Sequence, residues 1–307
     1  MPSAYTHCTL CPRRCGADRT KKPGYCGAGG VVKAARAALH HWEEPCLSGP
    51  APDAPGFTGA GSGTVFFSHC NLQCAFCQNH AISAGGYGKE ITVPRLAEIF
   101  LELQKKGAYN LNLVTPTPWL PSIIQALTLA RPALHIPVVY NTGGYETLQA
   151  VASLKGYVDI FVPDLKYVST LLSARYSGAP DYFEAASRAI QAMCAQTGPP
   201  VFDSAGMLQR GVVIRHMVLP GCMADSRAVL DWLAQALPRG GFLLSLMSQY
   251  TPCYKAGKTP PLNRRISTYE YRKIVDHALS LGLDTGYMQE KSSAKEEYTP
   301  PFDLEGI

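Results

Sequence analysis

Three closely spaced cysteines are the strongest chemical signal in this sequence of 307 residues. Cys70, Cys74 and Cys77 follow the pattern C-x3-C-x2-C, directly after the apolar run Thr64-Val-Phe-Phe-Ser68. Thiolates are the usual ligands of iron–sulfur cubanes, which normally take four of them. Three cysteines in one loop would leave one iron with an open coordination position, where a substrate can bind. The alternative is a zinc knuckle, but such knuckles usually pair two Cys-x2-Cys arms, so we favour the cubane.

A second group of cysteines lies near the N-terminus. Cys8, Cys11, Cys15 and Cys26 are separated by two, three and ten residues. Four thiolates would complete the coordination of a structural zinc ion or of a second iron centre. Such a metal would stabilise a glycine-rich segment that has little hydrophobic core of its own.

Composition limits the class of protein. The chain is 46% hydrophobic and 17% charged, which is typical of a packed globular protein. It contains no uninterrupted apolar run of about 18 residues, so we expect no membrane span. The N-terminus lacks a basic region followed by an apolar one, which predicts a cytoplasmic protein. Clustered cysteines in a reducing compartment indicate metal ligands rather than disulfides.

The net charge of +5 is modest, and several of the basic residues lie near the first cysteine group. A basic patch can bind nucleic acid, but no aromatic stacking pattern accompanies this one, so nucleic acid is disfavoured. A solvated surface is the simplest interpretation. Docking of an acidic electron donor, such as a flavodoxin- or ferredoxin-like protein, is a further use of the patch.

The hydrophobic pattern changes after residue 60. Residues 1–60 are predicted to form a cysteine-rich metal-binding module and linker, 61–290 the main domain, and 291–307 a C-terminal extension. Within the main domain, short apolar runs alternate with amphipathic stretches, which indicates parallel strands joined by helices. The predicted strands are 64–68, 111–115, 137–141, 158–162, 212–218 and 242–247. The predicted helices lie near 94–106, 120–131, 145–154, 180–196, 225–237 and 268–282.

These features together resemble the radical S-adenosylmethionine (SAM) superfamily, and within it the uncharacterised relatives of pyruvate formate-lyase-activating enzyme. The resemblance covers nearly the whole chain. It is carried by the cysteine triad and by five further stretches: Cys8-Thr-Leu-Cys-Pro-Arg-Arg-Cys-Gly16, Gly61-Ser-Gly-Thr-Val-Phe-Phe67, Asn141-Thr-Gly-Gly-Tyr145, Pro163-Asp-Leu-Lys166 and Tyr298-Thr-Pro-Pro-Phe-Asp-Leu-Glu-Gly306. It implies an α/β fold, a partial (β/α)6 TIM-like barrel preceded by the small cysteine-rich module. It also implies a [4Fe-4S] cluster on the triad and SAM as cofactor.

The resemblance implies positions for the methionine part of SAM. Thr115 and Thr117 follow the second predicted strand, where the superfamily usually carries a Gly-Gly-Glu stretch for the methionine amino group. This chain departs from that pattern. Asp164 and Lys166 match an Asp-x-Lys after the fourth strand, and a lysine there can pair with the methionine carboxylate.

Four more residues complete the implied SAM pocket. Phe76 matches the residue whose backbone contacts adenine, and Gln249 matches a position that reaches the ribose. Asn141 stands where activating enzymes carry an aspartate, so a charge is missing. Arg215 lies inside an apolar strand, where a charge is costly unless paired, so we expect it to face a ligand or a carboxylate.

Function is predicted at two levels. The first is reductive cleavage of SAM to a 5′-deoxyadenosyl radical that abstracts hydrogen from a substrate. The second is the substrate, for which the resemblance implies a glycine in a partner protein. Two alternatives stay open: a radical SAM enzyme that acts on a small metabolite or another macromolecule, and a non-enzymatic cysteine-rich protein that binds metal or nucleic acid.

Overall fold

Ten strands form the sheet of the computed structural model, which describes residues 3–289 and 300–307. Their bounds are β1 Lys33–His40, β2 Ser62–Phe67, β3 Lys89–Glu90, β4 Asn110–Val114, β5 Val138–Thr142, β6 Ile160–Pro163, β7 Val201–Phe202, β8 Leu208–Met217, β9 Leu243–Met247 and β10 Gly286–Met288. The strand order is β10-β9-β8-β6-β5-β4-β2-β1-β3, with β7 paired to β8. Six of them, β2, β4, β5, β6, β8 and β9, are the six predicted strands.

Helices lie between the strands along the chain. Their bounds are α1 Pro45–Ser48, α2 His80–Ser83, α3 Val93–Lys105, α4 Leu120–Ala130, α5 Leu148–Ser153, α6 Thr170–Ser177, α7 Tyr182–Thr197, α8 Met223–Ala236 and α9 Thr268–Ser280. Side-chain caps define several of their N-termini. For example, Thr92 accepts from Arg95 N at the start of α3, and Ser267 and Glu270 form a capping box at the start of α9.

The pairing confirms the predicted α/β partial barrel. From β2 to β9 every neighbouring pair along the strand order is parallel, and successive strands are joined through helices. Parallel strands need such crossovers, and helices on the outer face bury that side of the sheet. β10 adds to β9 in parallel, and β1 pairs with β2 in the antiparallel direction.

Strand β1 was not predicted. Its sequence, Lys33-Ala-Ala-Arg-Ala-Ala-Leu-His40, is rich in alanine, which has low strand propensity. It is a strand because β2 offers an edge on one side and the C-terminal segment lies along the other, where Ala37 N donates to Glu305 O and Leu304 N donates to Ala35 O. The division of the chain at residue 60 stays a prediction, although β1 belongs to the sheet.

The barrel interior is layered, because alternate residues of each strand face inward. One apolar cluster inside the barrel consists of Cys46 and Leu47 from α1 together with strand residues Val139, Ile160, Val162, Leu208, Val213 and Leu243. The segment around α1 was predicted as part of a linker. In the structure, Cys46 and Leu47 of this segment pack against the strand residues of the cluster.

The C-terminal segment that begins at Pro300 packs across β1. Arg36 donates to Asp303 Oδ1 at 2.7 Å and also pairs with Glu305. Residues 291–299 of the predicted extension lie outside the described residues. Among the described helices, none is long and apolar enough to cross a bilayer.

Candidate active site

The three cysteines of the predicted triad lie on one loop after β2 and line one cavity. Hydroxyl groups from two helices contact their sulfurs. Cys74 Sγ lies 3.0 Å from Ser177 Oγ, and Cys77 Sγ lies 3.2 Å from Ser83 Oγ. The amide of Leu72 points at Cys70 Sγ from 3.4 Å. Such donors stabilise a thiolate, so this loop is suited to hold a cationic metal group.

The pKa values of two thiols of this loop, Cys70 and Cys77, are raised when no metal compensates their burial. Burial raises the pKa of Cys70 well above its usual value, and the neighbouring Cys74 adds to the effect. Burial and Cys74 likewise raise the pKa of Cys77 to about 11. Metal binding must therefore release these protons, which makes the cluster site pH-dependent.

The N-terminal segment fixes the cysteine loop. Arg13 Nε donates to Asn71 O at 3.1 Å, and its Nη1 donates to Gly178 O at 2.5 Å. Gly27 lies so close to the ring of His69 that an added Cβ would stand 2.8 Å from Nδ1. The two cysteine-rich segments are therefore packed against each other.

The cavity has a volume of about 320 Å³ and lies at the carboxyl ends of the parallel strands. Eight SAM-pocket residues were predicted, and seven of them line this cavity: Phe76, Thr115, Asn141, Asp164, Lys166, Arg215 and Gln249. In barrels of this kind the carboxyl ends of the strands carry the active site.

Asp164 and Lys166 form a tight pair after β6. Lys166 Nζ lies 2.5 Å from Asp164 Oδ2, and Tyr182 Oη accepts from Lys166 N at 3.0 Å. Burial acts to lower the pKa of Lys166, but the Asp164 carboxylate and Cys74 outweigh it, so the net shift is upward. The ammonium therefore stays charged beside the cysteine loop.

Thr115 and Thr117 have different surroundings. Thr115 lines the cavity with a φ of 58°, in the left-handed region that few non-glycine residues adopt. Thr117 is buried in the following turn and donates to Glu146 Oε1 at 2.5 Å. Burial raises the pKa of Glu146 to about 7. The structure thus places Thr117 outside the cavity lining.

Phe76, which lies within the cysteine loop, and Gln249, which follows β9, also line the cavity. The Phe76 ring packs edge-on against Tyr250 with centroids 6.1 Å apart, and the backbone oxygen of Phe76 accepts from Cys253 Sγ at 3.2 Å. Gln249 contacts Met247 and Gln289, both of which also line the cavity. Among the contacts of the described residues, those of its amide are weak, at 3.5–3.7 Å.

The base of the cavity is a buried polar layer that we call the glutamate floor: Glu43, Glu44, Asn141 and Arg215, with Asn112 behind them. Arg215 Nε donates to Glu44 Oε1 at 2.8 Å, and its Nη2 contacts both glutamates. Its Nη1 lies 3.4 Å from Asn141 Oδ1. Arg215 was expected to face a ligand or a carboxylate, and it faces two carboxylates.

Electrostatics hold the floor in its charged form. Burial acts to raise the pKa of Glu44, but the Arg215 guanidinium outweighs it, so the net shift is downward. Burial acts to lower the pKa of Arg215, and the two glutamates more than reverse it. Glu44 and Arg215 therefore remain ionised inside the barrel.

Sequence reasoning missed the two glutamates. Glu43-Glu44-Pro45 lies in a segment with no strand or helix pattern strong enough to place it, and it meets Arg215 only through the fold. One signal was available: an arginine inside an apolar strand requires a carboxylate partner, and two adjacent glutamates before the barrel are candidates.

The N-terminal cysteines lie near one another. Burial raises the pKa of Cys11 to about 12, with smaller contributions from Glu146, Cys26 and Cys8. Within residues 3–289 and 300–307, no three His, Cys, Asp or Glu side chains are arranged to hold a single metal ion. A cubane does not need that arrangement, because each thiolate binds a different iron. A zinc site at the N-terminal cysteines does need it, and the structure shows none preformed among the residues it describes.

Comparison with known proteins gives a longer curated relative that matches most of this chain. The chain is 28% identical to an uncharacterized protein of Methanocaldococcus jannaschii over 292 residues, which is 92% of this chain and 77% of that protein.

Solved structures of SuiB from Streptococcus suis are also similar. SuiB bound to the precursor peptide SuiA aligns with a TM-score of 0.43 and 14% identity over 69% of this chain. SuiB bound to S-adenosylmethionine gives 0.38 and 13%, also over 69% of this chain. The chain spans 44% and 42% of these two SuiB chains, which is less than half their length.

A family model matches more than half of the chain. It is the model of the Radical SAM superfamily, and it covers residues 64–231. The matched region begins in β2, contains the cysteine loop with Asp164, Lys166 and Arg215, and ends within α8. The chain therefore belongs to the radical SAM superfamily.

Proposed function

We propose that this enzyme cleaves SAM reductively and uses the resulting radical to abstract a hydrogen atom from a bound substrate. One observation carries the proposal: the three cysteines of the C-x3-C-x2-C loop line the same cavity as the Asp164–Lys166 pair. Membership of the superfamily implies a [4Fe-4S] cluster and SAM as cofactors. It also favours an enzyme over a non-enzymatic metal- or nucleic-acid-binding protein.

Cys70, Cys74 and Cys77 would hold the cluster, with Ser83 and Ser177 donating to two of the sulfurs. When bound, the reduced cluster supplies one electron to SAM, which then yields 5′-deoxyadenosyl radical and methionine. The radical takes a hydrogen atom from a substrate C–H bond, so that 5′-deoxyadenosine forms and the substrate keeps the unpaired electron.

Five cavity residues are proposed to bind SAM. Lys166 would pair with the methionine carboxylate, held in place by Asp164, because a charge-assisted contact is strong in a shielded site. Thr115 would meet the methionine amino group, the backbone of Phe76 the adenine, and Gln249 the ribose. Thr117, Asn141 and Arg215 have protein partners, so we do not assign them to SAM.

The substrate is proposed from two sources. The resemblance to glycyl-radical activating enzymes favours a glycine in a partner protein. A small molecule is the second candidate, because the cavity ends in the buried glutamate floor rather than passing through the barrel.

We propose a flavodoxin- or ferredoxin-like protein as the electron donor. We also propose a cytoplasmic location, since this chemistry needs a reducing compartment. A zinc or iron centre at Cys8, Cys11, Cys15 and Cys26 also stays a proposal.

The test is anaerobic reconstitution with iron and sulfide, followed by an assay for 5′-deoxyadenosine after reduction with dithionite. We expect the wild-type enzyme to form it and Cys70→Ala to lose it. The matched control is Cys194→Ala, a buried cysteine of α7 outside the cavity lining, which should retain it. Absence of 5′-deoxyadenosine from the wild-type reaction would refute the proposed function.

A further assay separates the two substrates. The reduced enzyme and SAM are incubated with candidate partner proteins, and the partner is examined by electron paramagnetic resonance. A glycyl doublet on a partner supports activation. If 5′-deoxyadenosine forms but no partner acquires a doublet, the small-molecule candidate replaces it.

A further inference from the structure

We propose that the glutamate floor recognises the substrate and that the group it binds is a protonated amine. The inference rests on the proposed function, because it assigns the substrate class of the same cavity. It depends on the charge of the floor, the hydrogen bonds already made within it, and its depth below the cysteine loop.

The charge of the cavity favours a cation. Its described lining contains three carboxylates, Glu43, Glu44 and Asp164, against two cations, Lys166 and Arg215. Three negative charges less two positive ones leave a formal charge of −1, in a chain whose net charge is +5. His40 adds no charge at neutral pH, since burial lowers its pKa. A low-dielectric site with this balance attracts a cation and repels an anion.

The hydrogen bonds show which carboxylate is available. Arg215 engages Glu44 through two nitrogens and shares one of them with Glu43 Oε2. Glu43 Oε1 accepts from neutral amides, Asn112 Nδ2 at 2.9 Å and Asn141 Nδ2 at 3.5 Å. Among the described residues, Glu43 Oε1 has no cationic partner.

An unsatisfied acceptor lies beside that oxygen. Asn112 is fully buried, and its amide nitrogen points at Glu43, yet its Oδ1 has no hydrogen-bond partner among the described residues. Buried acceptors are rarely left without donors, and each exception calls for an explanation. An ammonium group carries three donors and no acceptor, so it matches Glu43, which lines the cavity, with the Asn112 acceptor behind it and outside the lining.

The depth of the floor separates it from the SAM-binding residues. Asn112 lies two residues before the end of β4, whereas Thr115 comes just after it. Arg215 pairs in register with Asp164, so its backbone is level with the SAM-binding residues and its side chain reaches down to the floor. The three residues from Asn112 to Thr115 rise about 10 Å. An amine bound at the floor would thus leave the carbons next to it facing the SAM-binding end of the cavity.

The experiment measures binding without turnover. Reconstituted enzyme, with saturating SAM and no reductant, is titrated with n-butylammonium and with n-butanol by saturation-transfer NMR. We expect the ammonium to bind about tenfold tighter or more, as for a charge-assisted contact. Nα-acetyl-lysine-N-methylamide is a third probe: binding like n-butylammonium identifies a peptide lysine as the source, and weaker binding identifies a small amine.

Variants test the role of Glu43. Glu43→Gln should reduce the ammonium preference to near one, while Glu43→Asp, which keeps the charge, should retain most of it. Glu184→Gln, an exposed glutamate of α7, should leave the preference unchanged. The proposal is overturned if wild-type enzyme binds both probes equally, if Glu43→Gln keeps the preference, or if Glu43→Gln weakens SAM binding instead.

The two proposals can fail separately. The wild-type comparison is informative even if Glu43→Gln does not fold. A preparation that shows the ammonium preference but forms no 5′-deoxyadenosine contradicts the proposed function and leaves the amine site standing. A preparation that cleaves SAM but binds n-butylammonium no tighter than n-butanol contradicts the amine site and leaves the proposed function standing.

Discussion

The two ends of the cavity are built in opposite ways. At the cysteine end, Cys70, Cys74 and Cys77 come from a single loop, and hydroxyls stand near two of the sulfurs. At the glutamate floor, Glu43 and Arg215 come from elements 172 residues apart and neutralise each other. The cysteine end is arranged to accept a metal group, whereas among the described residues the charges of the floor are paired with each other and leave Glu43 Oε1 without a cationic partner. A reactive centre can thus be local in sequence, while the surface that selects its substrate is assembled by the fold.

The largest expected effect concerns the floor. Arg215→Met removes the cation that compensates two buried carboxylates, so the free energy of unfolding should fall by about 3–5 kcal/mol. Chemical denaturation measures it. Arg188→Met, on an arginine whose side chain is 64% exposed, serves as the control and should change stability by less than about 0.5 kcal/mol. Equal effects of the two changes would mean that the floor is not held by its charges.

The neighbouring residue of β8 gives a second test, because it faces the opposite side of the strand. His216 is buried, with its nitrogens 2.7 Å from Leu165 O and 2.9 Å from Ser226 Oγ. Burial lowers its pKa to about 4. Its usual pKa is about 6.5, so between pH 6.5 and 4 the unfolded chain binds a proton that the folded chain does not. Stability should therefore fall as the pH falls through this window.

The contribution of His216 can be isolated by substitution. From pH 7 to pH 4.5 the wild-type protein should lose about 2 kcal/mol more stability than His216→Gln. Denaturation curves at the two pH values give the difference. Identical pH dependence in the two proteins would show that the imidazole is protonated in the folded state.

The smallest effect belongs to the cysteine end. Lys166→Met should weaken SAM binding to reconstituted enzyme about tenfold, since it removes one charge-assisted contact. Equilibrium dialysis measures the dissociation constant. Lys155→Met removes an exposed lysine before β6 and should leave it unchanged. If Lys166→Met binds SAM as tightly as the wild-type enzyme, then Lys166 pairs only with Asp164 in the wild-type complex and does not contact SAM.

The same contrast explains what could be predicted from sequence. The six parallel strands and the cysteine loop were accessible because apolar periodicity and cysteine spacing are local patterns. The strand β1 was not, because its alanines favour no strand until β2 and the C-terminal segment pair with it. Thr117 was expected to contact SAM because it stands where the superfamily usually carries a Gly-Gly-Glu stretch, but in the turn that contains Pro118 its hydroxyl donates to Glu146. Nothing local shows that Glu43 and Glu44 enter the barrel.

The most direct measurement of the central claim is electron paramagnetic resonance of the dithionite-reduced, reconstituted enzyme with and without SAM. If Cys70, Cys74 and Cys77 leave one iron open, the protein should show a [4Fe-4S]+ signal whose g values shift when SAM is added. Cys74→Ala should lose the signal, and Cys222→Ala, in a buried cysteine outside the cavity lining, should keep it. A cluster whose signal is indifferent to SAM, or a protein that binds only zinc at these cysteines, would contradict the account.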